Sequence, residues 1–394
     1  MIEKLFWISV VVVGYTFAGY TILLAIIVLI KRIFSSTKLP MPNPAELPEV
    51  CLFVTAYNEA DCVVAKVENS LQLNYPKEKL KLLWITDGSD DDTNSRLEKY
   101  PEVRVEYLPE RRGKVHAMNR GMQFVDSPFV VFTDSNTLLS PDSVQKLIRH
   151  FQDERIGCVA GEKRVFKGSA ENMAAAGENL YWNMESILKQ FESELSSVVG
   201  VVGELFAIRR DLFVPVANNC LLDDFQISMG LAVDGHRVVY ESEAVAWENG
   251  SQNVREELKR KSRIAAGGLQ AMIKMPALLN PFRVGWVSFQ YFSHKILRWT
   301  VAPWCILIAF LSNFLLVFFA TGNSLELIYI VVFALQLGWY LFAFVGFKAE
   351  GAIAGNKLFY IPYYFTAINY ATIKGLFRFL KGKQPVTWEK ARRA

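Results

Sequence analysis

The 394-residue chain is poor in the residues that build metal clusters and covalent cross-links. Its five cysteines, Cys51, Cys62, Cys158, Cys220 and Cys305, include no CxxC pair. Such scatter excludes a disulfide framework or a zinc site and fits a reducing compartment. The four histidines form neither an HExxH motif nor a His/Cys cluster, so each is read as structural. A net charge of +4 is too small for a nucleic-acid binder. Internal repeats and low-complexity segments are also missing. What is present is apolar. Hydrophobic residues make up 52% of the chain and the mean hydropathy is positive, which points to a membrane protein.

Residues 5–30 carry no charge, enough to cross a bilayer with some tilt. A signal peptide has a shorter apolar core and a small-residue cleavage site, and neither is found here. Lys31, Arg32 and Lys38 follow at once, so the chain beyond this span is expected to face the cytoplasm. Pro40, Pro42, Pro44 and Pro48 make a stiff linker. Near the other end, residues 281–295 mix Trp286, Phe289, Tyr291 and Phe292 with Arg283 and His294, the composition of an interfacial helix. Residues 299–325 and 327–347 are two further spans. The loop between them, around 321–326, lacks Lys and Arg and is expected outside the cytoplasm.

Residues 358–373 are short for a span and contain Pro362 and Asn369. If they crossed, the basic tail (Lys374, Arg378, Lys381, Lys383, Lys390, Arg392, Arg393) would lie outside, against the positive-inside tendency. An interfacial or re-entrant segment is preferred, with a further span as the alternative. The chain thus divides into a membrane helix with its basic flank (1–35), a cytoplasmic domain (45–275), interfacial helices (276–298), two membrane helices (299–347) and an end segment (348–394).

Within the cytoplasmic domain, short apolar runs at 50–55, 80–86, 103–108, 129–133 and 156–160 alternate with helical patterns at 60–73, 114–124 and 141–152. That alternation predicts an α/β domain with a mostly parallel sheet. A helical pattern follows at 171–194, and further strands are expected at 198–209 and 237–240.

Ligands of open α/β sheets sit beyond the carboxyl ends of the strands. Three strands end there in polar residues. Asp134 and Asn136 follow one, and a carboxylate with an amide oxygen two residues on suits Mg²⁺ or Mn²⁺ bridging a diphosphate. Tyr57 and Glu59 follow another, and Asp87 closes a third; an aromatic face can stack on a base, and the acids can accept from a ribose or a base N–H. Turn chemistry explains each of these singly. Lys114, near a helix start, is well placed for a phosphate, and a solvated basic turn fits it equally. Asp223 and Asp224, flanked by apolar residues, read either as a helix cap or as a desolvated pair in which one acid is a base.

In order and spacing, AYNEA (56–60), TDGSDDDT (86–93), RRGKVHAMNRG (111–121), FTDSN (132–136), LLDDF (221–225) and RKSRIAAGG (260–268) resemble the family 2 inverting glycosyltransferases. The likeness is to the membrane-integrated cellulose, hyaluronan, chitin and poly-N-acetylglucosamine synthase-like branch, and it covers residues 45–300. The resemblance implies a GT-A fold inserted between transmembrane helices. It also implies polysaccharide synthesis from a nucleotide-sugar, usually a UDP-sugar, with a divalent metal. Tyr57, Glu59, Asp87, Lys114 and Asp134 would hold the nucleotide-sugar, and Asp134 with Asn136 the metal. Asp224 would be the base beside Asp223, Arg263 would meet the diphosphate, and Gly203 and Glu204 would lie beside the acceptor. The partners implied are a nucleotide-sugar donor, a glycan or lipid-linked acceptor, the bilayer of the cytoplasmic membrane and accessory export subunits.

Two departures matter. The branch has DxD where this chain has Asp134-Ser135-Asn136, and QxxRW where it has Arg260-Lys261-Ser262-Arg263-Ile264. The missing tryptophan puts long-chain polymerisation in question, with a single-addition glycolipid transferase as the alternative. A non-catalytic subunit is the more distant rival, set against the retained Asp87, Asp134, Asp223 and Asp224.

Overall fold

The computed structural model describes residues 1–34, 43, 46–166, 173–251, 253–319, 327–348 and 356–382. Lys38, Pro40, Pro42 and Pro44 of the expected linker, the loop at 321–326, and Lys383, Lys390, Arg392 and Arg393 of the tail lie outside those residues. The strands are β1 (Val50–Ala56), β2 (Leu80–Asp87), β3 (Val103–Leu108), β4 (Phe129–Asp134), β5 (Leu138–Leu139), β6 (Ile156–Val165), β7 (Leu205–Arg209) and β8 (Arg237–Glu248). They form one mixed sheet in the order β3-β2-β1-β4-β7-β6-β8-β5. The β3-β2-β1-β4 half is parallel, and β7 runs against both β4 and β6.

Both faces of the parallel half are covered. Phe53, Ile85 and Phe132 pack on one side with Met118 and Phe206. Leu52, Val54, Trp84 and Val131 pack on the other with Val63 and Val67. Strands buried on both faces carry unbroken apolar runs, which is why these were readable in the sequence. Register then fixes the site. Thr55 pairs with Asp134 and Ala56 with Thr86, so Tyr57, Asp87 and Asp134 leave the sheet along one carboxyl edge.

The longer helices are α1 (Ile2–Ile33), α2 (Ala60–Leu71), α3 (Lys114–Gly121), α4 (Ser143–Ile148), α5 (Met173–Leu195), α6 (Asp223–Val233) and α7 (Val254–Lys274). After them come α8 (Trp286–Phe319), α9 (Leu327–Lys348) and α10 (Lys357–Leu380). Among the described residues, α1, α8 and α9 are long and apolar enough to cross a membrane. They flank the α/β domain in sequence on both sides.

Three expectations differ from the structure. The strand expected over 198–209 is confined to β7; Gly200, at φ +89°, breaks the extended backbone ahead of it. The boundary expected at 298/299 falls inside α8. No glycine or proline stands between Trp286 and Ala302 to end that helix, and a π-helical stretch, Phe292–Val301, leads into Pro303. The segment expected over 358–373 belongs to the 24-residue α10, which carries Pro362 inside it and packs along α7 and α9. Gly375 makes the approach to α7 possible, because a Cβ there would lie 2.4 Å from the Ser262 carbonyl oxygen.

Candidate active site

A cavity of about 1870 Å³ opens at the carboxyl edge of the sheet, and it gathers every residue of the expected site. On the nucleotide side, the Asp87 carboxylate accepts main-chain N–H groups from Arg112 (3.1 Å) and Gly113 (2.6 Å), shaping the loop that leads into α3. Gly88, at φ +69°, lets that loop close, since a Cβ would meet the Arg111 nitrogen at 2.6 Å. Asp87 is therefore engaged with the loop as well as lining the cavity. The Tyr57 ring carries the Arg111 guanidinium 3.8 Å from its centroid, so the face expected to stack on a base already holds a cation. Glu59 precedes α2 and donates its main-chain N–H to Thr93 Oγ1 at 2.8 Å.

Lys114 is the hub. Its Nζ lies 2.7 Å from Asp134 Oδ1 and 3.9 Å from Asp223 Oδ2. Burial works against its charge, but Asp134, Asp223 and Asp224 outweigh burial and hold its pKa above the ordinary lysine value. The acid pair opens α6, and its two members differ. Asp224 Oδ1 accepts the Phe225 N–H at 2.8 Å. Burial first, and then the neighbouring Asp223, push the Asp224 carboxyl up to about 7, with Lys114 pulling the other way. Asp223 leaves its buried Oδ2 without a hydrogen bond among the described residues. A Cβ at Gly203 would sit 3.6 Å from both Asp224 Oδ2 and Lys114 Nζ, so this glycine keeps the space in front of the acid clear.

The cationic run on α7 divides. Arg260 pairs with Glu178 at 2.8 Å and Glu257 at 3.0 Å. Lys261 Nζ lies 3.4 Å from the Tyr181 ring centroid. Arg263 alone among them faces the acid pair: burial draws its pKa down, and Asp223 and Asp224 oppose that shift. Glu204, expected beside the acceptor, lines the cavity but pairs with the buried Lys163, which also pairs with Glu248.

Glu248 in turn accepts the Asn136 amide N–H at 2.9 Å. That bond leaves the Asn136 carbonyl oxygen, with Asp134 Oδ2, as oxygens that take no hydrogen bond among the described residues. Two hard oxygen donors fit a divalent cation of the Mg²⁺ or Mn²⁺ class. No group of three or more His, Cys, Asp or Glu residues stands ready for a metal among the described residues. A diphosphate or water could complete the shell of a cation held there. Behind this loop the fully buried Lys66 donates to Thr133 Oγ1 (2.9 Å) and the Thr137 carbonyl (2.8 Å). Lys66 was legible as a lysine beside Val63 and Val67 on α2; Lys163 and Glu248 lie beyond the strand runs expected at 156–160 and 237–240, and no sequence signal marked them.

With this geometry in place, similarity to known proteins becomes informative. The family model described as glycosyltransferase like family 2 matches residues 48–267, more than half of the chain. The chain belongs to that family. Curated relatives include the poly-β-1,6-N-acetyl-D-glucosamine synthase of Staphylococcus aureus strain MSSA476, 26% identical over 249 residues. The match covers 61% of this chain and 60% of that synthase's length. The Staphylococcus epidermidis synthase is 21% identical over 316 residues, covering 73% of this chain and 76% of its own. Among solved structures, the mannosyltransferase PcManGT from Pyrobaculum calidifontis, in complex with GDP-Man and Mn²⁺, superposes with a TM-score of 0.71 at 22% identity. That superposition covers 96% of this chain and 100% of PcManGT. The fold of this family 2 member is GT-A-like, flanked in sequence by apolar helices.

Proposed function

We propose that the chain is a membrane-bound, inverting glycosyltransferase, polysaccharide-synthase-like, that moves a sugar from a nucleotide-sugar to a hydroxyl of a glycan acceptor. One observation carries this reading: a half-buried carboxyl poised near neutrality, Asp224, shares a cavity with a cationic hub, Lys114, at the end of a family 2 sheet. Asp224 takes the proton of the acceptor hydroxyl as its oxygen attacks the anomeric carbon. The bond to the diphosphate breaks on the opposite face, giving inversion in one displacement. Lys114 and Arg263 balance the negative charge that develops on the departing diphosphate. A divalent cation held by Asp134 and Asn136 would supply further charge at the same oxygens. Tyr57, Glu59 and Asp87 border the nucleotide.

Orientation follows from charge. Lys31 and Arg32 close α1, and this positive flank supports an α/β domain on the cytoplasmic side of the cytoplasmic membrane. A UDP-sugar is the donor the family resemblance favours. A specific observation supports the second reading, single addition to a lipid-linked acceptor: Ile264 stands where the processive synthases carry tryptophan, and it lines the cavity.

The test is product analysis. The protein in native membranes is incubated with a series of UDP-sugars and Mn²⁺, and the products are read by mass spectrometry. Release of UDP with a new glycan or glycolipid is the expected result. An absence of turnover with every nucleotide-sugar, in protein that is folded, would overturn the reading.

A further inference from the structure

The cavity does not stop at the acid pair. It continues along α5 and α7 to Lys189, Lys261, Lys295 and Arg298, and then to Ile22 of α1 and Phe365 and Ile368 of α10. Ile22 lies in the middle third of α1, a helix long and apolar enough to cross a membrane. Ile22, Met184 and Ile187 are exposed along this stretch, 60%, 55% and 54% respectively. Its polar section has an imbalance of partners. Each acid nearby is already matched: Glu185 by Arg298 and Lys295, Glu257 by Arg260, Glu204 by Lys163, and Glu162 by Ser186 and Tyr240.

Lys189 has no such match. It is 4% exposed, and among the described residues its ammonium makes no hydrogen bond or ion pair, resting 5.3 Å from the Trp182 ring centroid. Lys261 reaches Glu257 only at 3.7 Å and lies 5.7 Å from the same Trp182 ring. Arg298 keeps a buried Nε without a hydrogen-bond partner. An ammonium taken out of water without a hydrogen-bonded partner is costly. Glu185, Glu162 and Glu204 act on Lys189 from beyond ion-pair distance, and burial outweighs them and lowers its pKa, as burial also lowers that of Lys261. An anion with an apolar tail would satisfy the cations and the lining beyond them together.

We propose that Lys189, Lys261 and Arg298 form the binding site for the phosphate of an amphipathic lipid, whose chain lies in the apolar lining between α1, α5 and α10. This inference rests on the transferase reading for its purpose, because the lipid would present the acceptor hydroxyl towards Asp224.

The experiment is calorimetric titration of the full chain in detergent micelles, with farnesyl phosphate as probe and farnesol and inorganic phosphate as controls. Farnesyl phosphate is expected to bind at least about tenfold more tightly than either control, since a charge-assisted hydrogen bond to phosphate and the apolar chain both contribute. Lys189→Met removes the charge while breaking no ion pair, and it should weaken farnesyl phosphate about tenfold or more. Lys189→Arg should restore most of that loss. UDP affinity with Mn²⁺ should stay unchanged in both variants, which also checks their folding. Equal binding of farnesol, equal binding of inorganic phosphate, or indifference to Lys189→Met would each overturn the site. A protein that binds farnesyl phosphate through Lys189 but neither binds UDP nor consumes a nucleotide-sugar keeps the lipid site and loses the transferase reading. One that consumes the nucleotide-sugar while Lys189→Met changes nothing loses the lipid site alone.

Discussion

Asp223 and Asp224 are adjacent in sequence, yet their surroundings separate them. Asp224 faces the space that Gly203 keeps open, and its carboxyl is pushed up to about 7. Asp223 instead lies beside Lys114. General base catalysis is typically worth about 10²–10⁴-fold. Asp224→Asn should therefore lose sugar transfer by about that factor while UDP binding, read by calorimetry, persists. Asp223→Asn should keep far more activity, and the opposite ranking would move the base to Asp223. The base must be ionised to act, so turnover should rise about tenfold per pH unit on the acid side of about 7 and level off above it. A pH–rate profile flat across that range would contradict the assignment.

On the proposed reading, metal dependence would rest on residues of unequal charge. Asp134→Ala removes the one carboxylate of the pair, whereas Asn136→Ala removes a neutral oxygen, so the first should reduce activity much more than the second. A chelator should abolish turnover and Mn²⁺ or Mg²⁺ should restore it. Equal effects of the two substitutions, or full activity in chelator, would remove Asp134 from the role.

Among the elements, α10 and α6 make the sharpest contrast. Gly375 lets α10 press onto the Ser262 carbonyl, next to Arg263. Gly375→Val should cost about 1–3 kcal/mol through overpacking and lower activity by displacing α7, read as a fall in melting temperature together with turnover. Gly230, on α6, has nothing within 4 Å of an added Cβ. Gly230→Ala should instead stabilise by about 0.5–1 kcal/mol. If both changes behaved alike, the packing argument for Gly375 would fail.

The elements also show what could be read in the sequence. Strands β1, β2 and β4 announced themselves because their residues in the sheet interior are buried on two faces and apolar. The edge strand β3, with Arg104 and Glu106, is partly exposed and was read from alternation instead. Residues 199–203 are apolar too, but they line a cavity and turn at Gly200, and an apolar run does not distinguish these cases. The motif residues were legible as types. Their partners were not: that Asp87 holds the Arg112-Gly113 loop, or that Glu248 orients Asn136, depends on contacts 25 and 112 residues apart in the chain. Likewise, the run 260–263 looks uniform on paper, and only the turn of α7 sends Arg260 to Glu178 and Arg263 to the acids.

At the scale of the whole molecule, the topology proposed from the charge that closes α1 can be tested by labelling. A cysteine introduced at Asn323 should react with an impermeant thiol reagent added outside intact cells, and one at Ser169 should not. The reverse pattern would turn the catalytic domain to the other side.

The cavity that reaches from the sheet edge to the middle of α1 has a kinetic consequence. On the proposed reading its two ends would meet different phases: a soluble donor arrives in three dimensions, while a lipid-borne acceptor arrives in two. Turnover at saturating donor should then follow the acceptor's mole fraction in the bilayer and not its amount per millilitre. Adding inert lipid would slow the enzyme even though nothing has been removed from the tube.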